Sequence, residues 1–338
     1  MRAVFIERFG EDAPLRFGEV PERSCGPDDL VVEVRAASLN PVDLRVRAGD
    51  LQRLHHYRLP LRLGSDVSGV VTKLGERVTD FEPGDEVFAR LPKDRLGAFA
   101  ERVTLPAAVA ARKPARLDHV QAAGVPLAGL TALQALRWAE LASGQRVLVH
   151  AGSGGVGTFA IQLARHLGAT VVTTVGARNE ELVRSLGAGH VIDYRTTRFD
   201  EVLAGTAAVD VVFDTQGGDT LYRSFSVVRP GGGVVTIGGR PTASEAVAAG
   251  QPSLITRLFL HQAHRRTRSL ARRHDARFRY LFMVPSGRQL AELATLIEQG
   301  RLTPVIDRTY PLEAAAEAFA HVASGHATGK VVLRAGGN

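Results

Sequence analysis

The chain has 338 residues, 45% of them hydrophobic and 23% charged, with one cysteine and a formal net charge of +7. That length and balance exclude a disordered, collagen-like or disulfide-stapled chain and leave room for two domains with ordinary cores. Cys25 has no partner for an internal bridge, and Met1-Arg2-Ala3-Val4-Phe5-Ile6-Glu7-Arg8 meets a charge pair before a signal-peptide core can form, so a reducing, cytoplasmic setting is expected.

From Met1 to about Arg116, nine prolines punctuate short apolar runs. Leu30–Ala36 and Val67–Lys73 alternate as strands do, and Glu82-Pro83-Gly84-Asp85-Glu86-Val87 is a turn feeding a third, which predicts a compact β-rich domain. Between them, Asn40-Pro41 starts a short helix, with Asn as cap and Pro at the first helical position. Near Leu117 the texture changes. Alanines and leucines at helical spacing run to Leu141, and Ser143-Gly144-Gln145 closes that segment.

The next stretch, Val147-Leu148-Val149-His150-Ala151-Gly152-Ser153-Gly154-Gly155-Val156-Gly157, followed by Thr158 to Ala164, is a β-branched run, a glycine turn and a helical apolar pattern. Gly152, Gly154 and Gly157 satisfy G-x-G-x-x-G. That spacing suits a tight turn, close approach of backbone to a pyrophosphate, and tight packing of helix on strand. Backbone amides of Ser153, Gly155 and Val156 then face the phosphates at a helix start whose dipole favours negative charge. Residues 147–164 reach about the minimum length of a membrane span, but the central glycines suit a turn.

Beyond the loop, strands are expected at Ala169–Val175, His190–Tyr194, Val209–Asp214, Gly233–Gly238 and Phe278–Val284, with a helix from Glu180 to Leu186 that stops at Gly187. Strands alternating with helices pair in parallel through right-handed crossovers. The class is therefore α/β, a doubly wound parallel sheet of Rossmann type beside the β-rich domain. A helix over Gln289–Glu298, a strand at Val305-Ile306, a helix over Leu312–Ala323 and a strand at Gly329–Leu333 are too short for a third domain and return to complete the first. The expected division is 1–119 with 286–338, and 120–285.

In folds specific for NAD, an acidic residue about 20 positions past the glycines holds the ribose 2′-hydroxyl. Here the second strand ends Thr174-Val175-Gly176-Ala177-Arg178-Asn179, with no acid at its tip. A small residue beside Arg178 leaves room and charge for a 2′-phosphate, and Tyr194 at the tip of the neighbouring strand is a second candidate partner. NADPH is the expected cofactor.

With Pro126-Leu127-Ala128-Gly129-Leu130-Thr131-Ala132 ahead of the glycine loop and Asn40-Pro41-Val42-Asp43 near the start, the chain resembles the zinc-independent medium-chain dehydrogenase/reductases, in their quinone oxidoreductase and enone reductase branch. The resemblance runs from Met1-Arg2-Ala3 to Gly329-Lys330-Val331-Val332-Leu333. It implies a GroES-like catalytic domain built from both chain ends, a Rossmann domain, an active site in the cleft, and a homodimer. Zinc relatives place a cysteine where this chain has Asn40 and a histidine where it has Ser65, and carry a four-cysteine lobe that one cysteine cannot build. Amide and hydroxyl oxygens do not replace those ligands, so no metal is expected.

Without a Lewis acid the easier task is hydride delivery to an acceptor already electrophilic, a quinone or an enone. The resemblance implies that Asn40 lies near the nicotinamide and donates to the developing enolate or hydroquinonate oxygen, supported by Asp43. It places Thr131 on the cofactor side, and Gly238 with a Phe282-Met283 strand flanking the nicotinamide; no side chain stands out as an acid, so water supplies the second proton. One departure concerns Arg47-Ala48-Gly49, which lacks the tyrosine that many quinone reductases carry just after it; Tyr57 is nearby but not aligned.

The net charge is local. Between 257 and 279 eight arginines face one aspartate, which accounts for the whole excess. Leu254, Ile255, Leu258 and Phe259 form one apolar helical face, with Arg257, Arg265, Arg266 and Arg268 elsewhere, so a helix over the cleft mouth with a solvated basic face is expected. The alternatives are an enoyl-thioester reductase whose arginines take the substrate's phosphates, or a cofactor-binding regulator or RNA binder. Absence of aromatic residues between Phe259 and Phe278 speaks against a nucleic-acid stacking platform. No membrane partner is expected.

Overall fold

The computed structural model describes residues 1–52, 54–204, 208–239, 241–249 and 254–336. In chain order the strands are β1 Arg2–Ile6, β2 Arg16–Glu19, β3 Asp29–Leu39, β4 Leu61–Arg62, β5 Asp66–Leu74, β6 Glu86–Arg90, β7 Arg102–Pro106 and β8 Ala110–Arg112. They continue with β9 Arg146–His150, β10 Thr170–Val175, β11 His190–Asp193, β12 Val209–Asp214, β13 Val228–Thr236, β14 Arg277–Tyr280, β15 Ile306–Pro311 and β16 Lys330–Arg334. The helices are α1 Pro41–Ala48, α2 His119–Ala123, α3 Pro126–Trp138, α4 Gly155–His166, α5 Glu180–Leu186 and α6 Phe199–Leu203. After these come α7 Gly218–Ser224, α8 Ala243–Ala249, α9 Leu254–Ala263, α10 Arg265–Arg273, α11 Gly287–Glu298 and α12 Ala315–Ala323. No helix among the described residues is long and apolar enough to cross a membrane.

The chain divides into two units, one of Met1–Leu130 with Val284–Asn338 and one of Thr131–Met283. The boundary falls inside α3.

In the first unit the larger sheet runs β15-β16-β3-β5-β6-β8, with β7 also paired to β3, and a smaller sheet runs β2-β1-β4. β16 pairs in parallel with β15 and antiparallel with β3, so the end of the chain is built into the sheet begun by its start. The long β3 pairs with β5 along most of its length and shifts register at two bulges, Val31/Val32 and Val34/Ala36. Such bulges bend a strand and increase its twist. Leu30, Val32, Val34, Val67, Val87, Leu105 and Leu333 fill the core, where Phe99 meets Phe319 edge to face at 6.1 Å.

In the second unit six strands run β11-β10-β9-β12-β13-β14, all parallel. The order reverses between β9 and β12, where open α/β sheets bind ligands at the carboxyl ends of their strands. Val147, Leu148 and Val149 are wholly buried, as expected of a central strand covered on both faces.

The structure departs from the expected elements in three places. The helical run from Leu117 to Leu141 is two helices, α2 and α3, broken at Gly124 and restarted at Pro126. The last parallel strand ends at Tyr280, so Phe282 and Met283 follow β14 instead of lying on it. The basic segment is also two helices. Leu254, Leu258 and Phe259 on α9 are exposed and not buried, while the arginines concentrate on α10. The side chains of Ile255 and Arg257, which the sequence also puts on α9, lie outside the described residues.

Candidate active site

The glycine turn joins β9 to α4, with Ala151 in the left-handed region (φ 52°) and Gly154 capping the helix in extended conformation. Each glycine has its own reason. A Cβ on Gly152 would lie 2.1 Å from Thr173 Oγ1, and one on Gly157 would lie 2.4 Å from the Ala151 carbonyl oxygen, so both are required by packing. A Cβ on Gly154 would find only the Ala151 oxygen within 4 Å, at 3.3 Å. Space beside it is open, which fits approach by a pyrophosphate to the start of α4. Ser153, Gly155 and Val156 are partly exposed there.

The turn is braced from below by His150. It is buried, with Nδ1 3.1 Å from Thr174 Oγ1 and Nε2 3.1 Å from Ser224 Oγ. Burial, with Arg223 nearby, pushes the imidazole down to about 3, so it is neutral. Ser224 Oγ already donates to the Thr220 carbonyl. It must therefore accept from His150, which assigns the proton to Nε2 and leaves Nδ1 to accept from Thr174. Thr174 Oγ1 in turn accepts from the amide of Ala151, the first residue of the turn.

Beyond β10, Arg178 lies exposed in the short turn Ala177–Asn179, and Asn179 Nδ2 donates to Ser153 Oγ at 3.0 Å. The expected arginine is thus tied to the glycine loop through its neighbour. Tyr194 is exposed at the end of β11, with the Arg195 guanidinium 5.8 Å from its ring centre. A Cβ on Gly176 would approach that guanidinium at 3.5 Å. Arg195 is a cation near the β10 tip that the sequence reading missed, although its place beside Tyr194 was the available signal.

At the ends of β12 and β13, Asp214 is buried and accepts from Thr236 Oγ1 and the amides of Gln216 and Gly217. Burial raises its carboxyl, against the pull of those donors. Gly238 packs backbone to backbone on Gly217, where a Cβ would lie 2.4 Å from the Gly217 nitrogen. Thr131 and Met283 are buried, and the Phe282 ring lies 5.3 Å from that of Tyr280.

The first unit holds a buried polar cluster around Asn40, the residue that follows β3 and caps α1. Asn40 Nδ2 donates to Asp66 Oδ2 at 2.9 Å and to the Ser38 carbonyl at 3.3 Å. Its Oδ1 accepts from Lys330 Nζ, which also donates to the Leu39 carbonyl at 2.7 Å. The Asn40 amide nitrogen donates to Asp43 Oδ2 at 2.8 Å. Asp66 further accepts from Ser38 Oγ and the Leu127 amide, with Arg90 Nε 3.9 Å away. Asn40, Asp43, Asp66, Arg90 and Lys330 are each at most 3% exposed, so four ionisable groups share one dry site.

Burial pushes the Asp43 carboxyl up to about 7, with Asp66 adding to the rise and Arg90 and Lys330 opposing it. Burial also raises Asp66, which Lys330 and Arg90 oppose, and lowers Lys330 and Arg90. Three neutral donors, Ser38 Oγ, Asn40 Nδ2 and the Leu127 amide, with Arg90 nearby, work against that rise at Asp66. Asp43 is the member that changes charge near neutrality.

Both amide hydrogens of Asn40 are engaged inside the cluster, so the expected donation from Asn40 to an acceptor oxygen has no free hydrogen to use. The arrangement makes Asn40 a joint among Lys330, Asp66 and α1. Sequence reading did not connect Asp66, Arg90 or Lys330 to this site. Tyr57 belongs to the same electrostatic neighbourhood: burial, with Asp43, pushes its phenol up to about 12 against Arg90. Gln52 fixes this loop by bonding both the amide and the carbonyl of Tyr57. Burial and Arg90 bring Lys93 down to about 8, and burial and Lys93 bring His55 down to about 4.

The donor set does not suit zinc. Asn40 and Ser65 offer oxygens, the Lys330 ammonium already holds Asn40 Oδ1, and Ser65 Oγ is buried without a hydrogen-bond partner. Among the described residues no group of three or more His, Cys, Asp or Glu is placed to hold a metal ion.

Residues 26–115 match the family model for the alcohol dehydrogenase GroES-like domain, and residues 186–333 match that for zinc-binding dehydrogenase. The chain is 34% identical over 355 residues to NAD(P)H oxidoreductase RTN4IP1, mitochondrial, of Homo sapiens, covering 98% of this chain and 89% of that one. It is 35% identical over 316 residues to the NADPH-dependent alkenal/one oxidoreductase, chloroplastic, of Arabidopsis thaliana, covering 90% and 72%. Among solved structures, the quinone oxidoreductase from Coxiella burnetii superposes with a TM-score of 0.85 at 32% identity over 99% of both chains. The Escherichia coli quinone oxidoreductase complexed with NADPH gives 0.82 at 27% identity over 99% and 100%. With a GroES-like unit, a Rossmann unit and relatives of this identity over nearly its whole length, the chain belongs to the medium-chain dehydrogenase/reductase superfamily of oxidoreductases, in its quinone oxidoreductase-like branch.

Proposed function

We propose that the protein is an NADPH-dependent reductase that passes hydride to a quinone or an α,β-unsaturated carbonyl without zinc. The observation that carries this reading is the cluster at the end of β3. Where a metal enzyme needs soft ligands, this chain has an amide locked by a buried ammonium, Lys330 on Asn40.

The second unit binds the cofactor. Backbone amides at the start of α4 meet the pyrophosphate, the opening beside Gly154 admits it, and Arg178, Arg195 and Tyr194 take the 2′-phosphate. NADPH, when bound, supplies the hydride. The first unit supplies the electrostatics. Protonation of Asp43, whose carboxyl is raised to about 7, removes one negative charge from the cluster beside Lys330 and Arg90. A preorganised positive field in a dry site favours an oxygen that gains negative charge as hydride arrives. The Tyr57 hydroxyl, which keeps its proton to about 12, serves as hydrogen-bond donor to that oxygen in place of Asn40. Lys93, brought down to about 8 by burial and Arg90, supplies the second proton in place of water.

The deciding experiment follows NADPH oxidation with 9,10-phenanthrenequinone, a short enone and crotonyl-CoA, before and after dialysis against a strong chelator. Turnover of quinone or enone that survives chelation, with little use of NADH, supports the reading. Loss of activity restored by zinc, or preference for crotonyl-CoA, removes it.

A further inference from the structure

The segment from Ala246 to His274 contains six arginines and no acidic residue. Its two helices divide two properties between them. On α9, Leu254, Leu258 and Phe259 are 68%, 63% and 50% exposed, at positions i, i+4 and i+5, one side of a helix. On α10, which follows after His264 alone, the solvent side carries Arg265, Arg266, Arg272 and Arg273. Seven-residue spacing stacks Arg265 with Arg272 and Arg266 with Arg273 along one stripe. The opposite side of α10 is anchored by buried Thr267 and by Leu270 and Ala271, which pack on the core of the parallel sheet.

The joint is also fixed. His264 is buried and its Nε2 lies 3.0 Å from the Pro241 carbonyl, while Arg268 Nη2 donates to the His261 carbonyl. Arg266 stacks on Tyr222 with its guanidinium carbon 4.1 Å from the ring centre, which holds one of the four cations in place. Three large apolar side chains at least half exposed on one helix, followed by a helix with four exposed arginines of which Arg266 is held on Tyr222, are costly to leave in water. Apolar residues that can enter an acyl boundary, next to cations that can meet phosphate headgroups, match a membrane surface carrying negative charge. Bare phosphate or nucleic acid would account for the arginines alone and leave Leu254, Leu258 and Phe259 unexplained.

We infer that α9 and α10 form a peripheral docking surface for an anionic lipid bilayer, with the α9 side chains inserted at the interface and the α10 arginines on the headgroups. Such docking is separate from the reductase reading and holds for any acceptor.

Sedimentation of the full chain with vesicles tests it. Vesicles of phosphatidylcholine with about one-third phosphatidylglycerol should carry the protein down, pure phosphatidylcholine should not, and high salt should release it, as screening of exposed charge requires. The double variants L258E/F259E and R272E/R273E should each weaken vesicle binding at least tenfold, as expected when either the apolar or the electrostatic contribution is lost, while thermal unfolding and NADPH oxidation with a soluble quinone stay as in the parent. No sedimentation with anionic vesicles at low salt overturns the inference. So does undiminished binding by L258E/F259E, and so does a parent dimer that this variant splits in light scattering, since the face is then covered by a second copy. Binding of single-stranded RNA that outcompetes vesicles overturns it as well.

Discussion

Lys330 Nζ donates to Asn40 Oδ1 across a sequence separation of 290 residues, joining the last strand of the chain to the cap of its first helix. The ammonium satisfies the amide oxygen, and the same amide's hydrogens hold Asp66 and the Ser38 carbonyl. Orientation of Asn40 is therefore set from two sides by groups of opposite charge.

Removing that ammonium should be expensive. K330M removes the buried ammonium that donates to Asn40 Oδ1 and the Leu39 carbonyl and leaves both acceptors unpaired, and losing a buried hydrogen bond from a charged group costs about 1.5–3 kcal/mol. Denaturant unfolding should show a loss of that order, and kcat with NADPH and quinone should drop roughly 100-fold as Asn40 and Asp43 lose their alignment. K330R should recover stability before activity, because the planar guanidinium keeps the charge and changes the geometry. Unchanged kcat in a folded K330M would separate Asn40 from the chemistry.

Asp43 makes stability depend on pH in a stated direction. Burial first, then Asp66, raises its carboxyl to about 7 in the folded protein from an ordinary 3.8. Between those values the folded chain holds a proton that the unfolded chain has shed. The contribution is complete below the unfolded value and is lost as pH rises toward 7, with a slope of at most about 1.4 kcal/mol per pH unit. D43N should flatten that slope in urea titrations and erase an inflection near neutrality in the kcat profile. A D43N chain that keeps the parent's slope would place the titration elsewhere.

Gly154 and Gly157 should fail in different ways. A side chain on Gly154 meets little within the protein, so G154V should cost under about 1 kcal/mol of stability, the scale of a cap change, while weakening NADPH at least tenfold in fluorescence titration. G157V drives its Cβ into the Ala151 carbonyl and should unfold the turn itself. Unaltered NADPH affinity in G154V would mean that the cofactor does not use this loop.

Arg178 and Arg195 are the cations proposed to take the 2′-phosphate of NADPH. Each charge-assisted contact to a 2′-phosphate is worth about 1.5–3 kcal/mol, so R178A/R195A should weaken NADPH by about 100-fold or more and leave NADH nearly unchanged. Equal losses for both nucleotides would point to a structural effect of the pair.

Local grammar made the Rossmann unit readable. The glycine spacing, the buried run Val147-Leu148-Val149, and Gly187 just past α5 all act within one or two turns of chain, and the strand order follows from crossover handedness. The cluster in the first unit was readable only in part. Asn40 and Asp43 share a capping motif, and their candidacy came from resemblance. Lys330 reaches them from a strand that looks like any buried β-strand, and nothing in Gly329-Lys330-Val331 says that its ammonium points inward. Arg90 and Asp66 become neighbours only through the antiparallel register of β5 with β6. The α9 face was readable as one apolar side of a helix and no further. Its periodicity is that of a buried helix, and periodicity does not say what buries it.

The position of β16 has a consequence for biosynthesis. It lies between β15, made just before it, and β3, made near the start of the chain with the rest of that sheet. On a ribosome, the contiguous nucleotide-binding segment can condense as it emerges, while the amino-terminal strands wait with an open seam for the final piece. Nascent chains stalled before Lys330 should therefore be open to proteases across β3 and recognised by holdase chaperones, and emergence of β16 should seal the seam and bring in the ammonium in the same event.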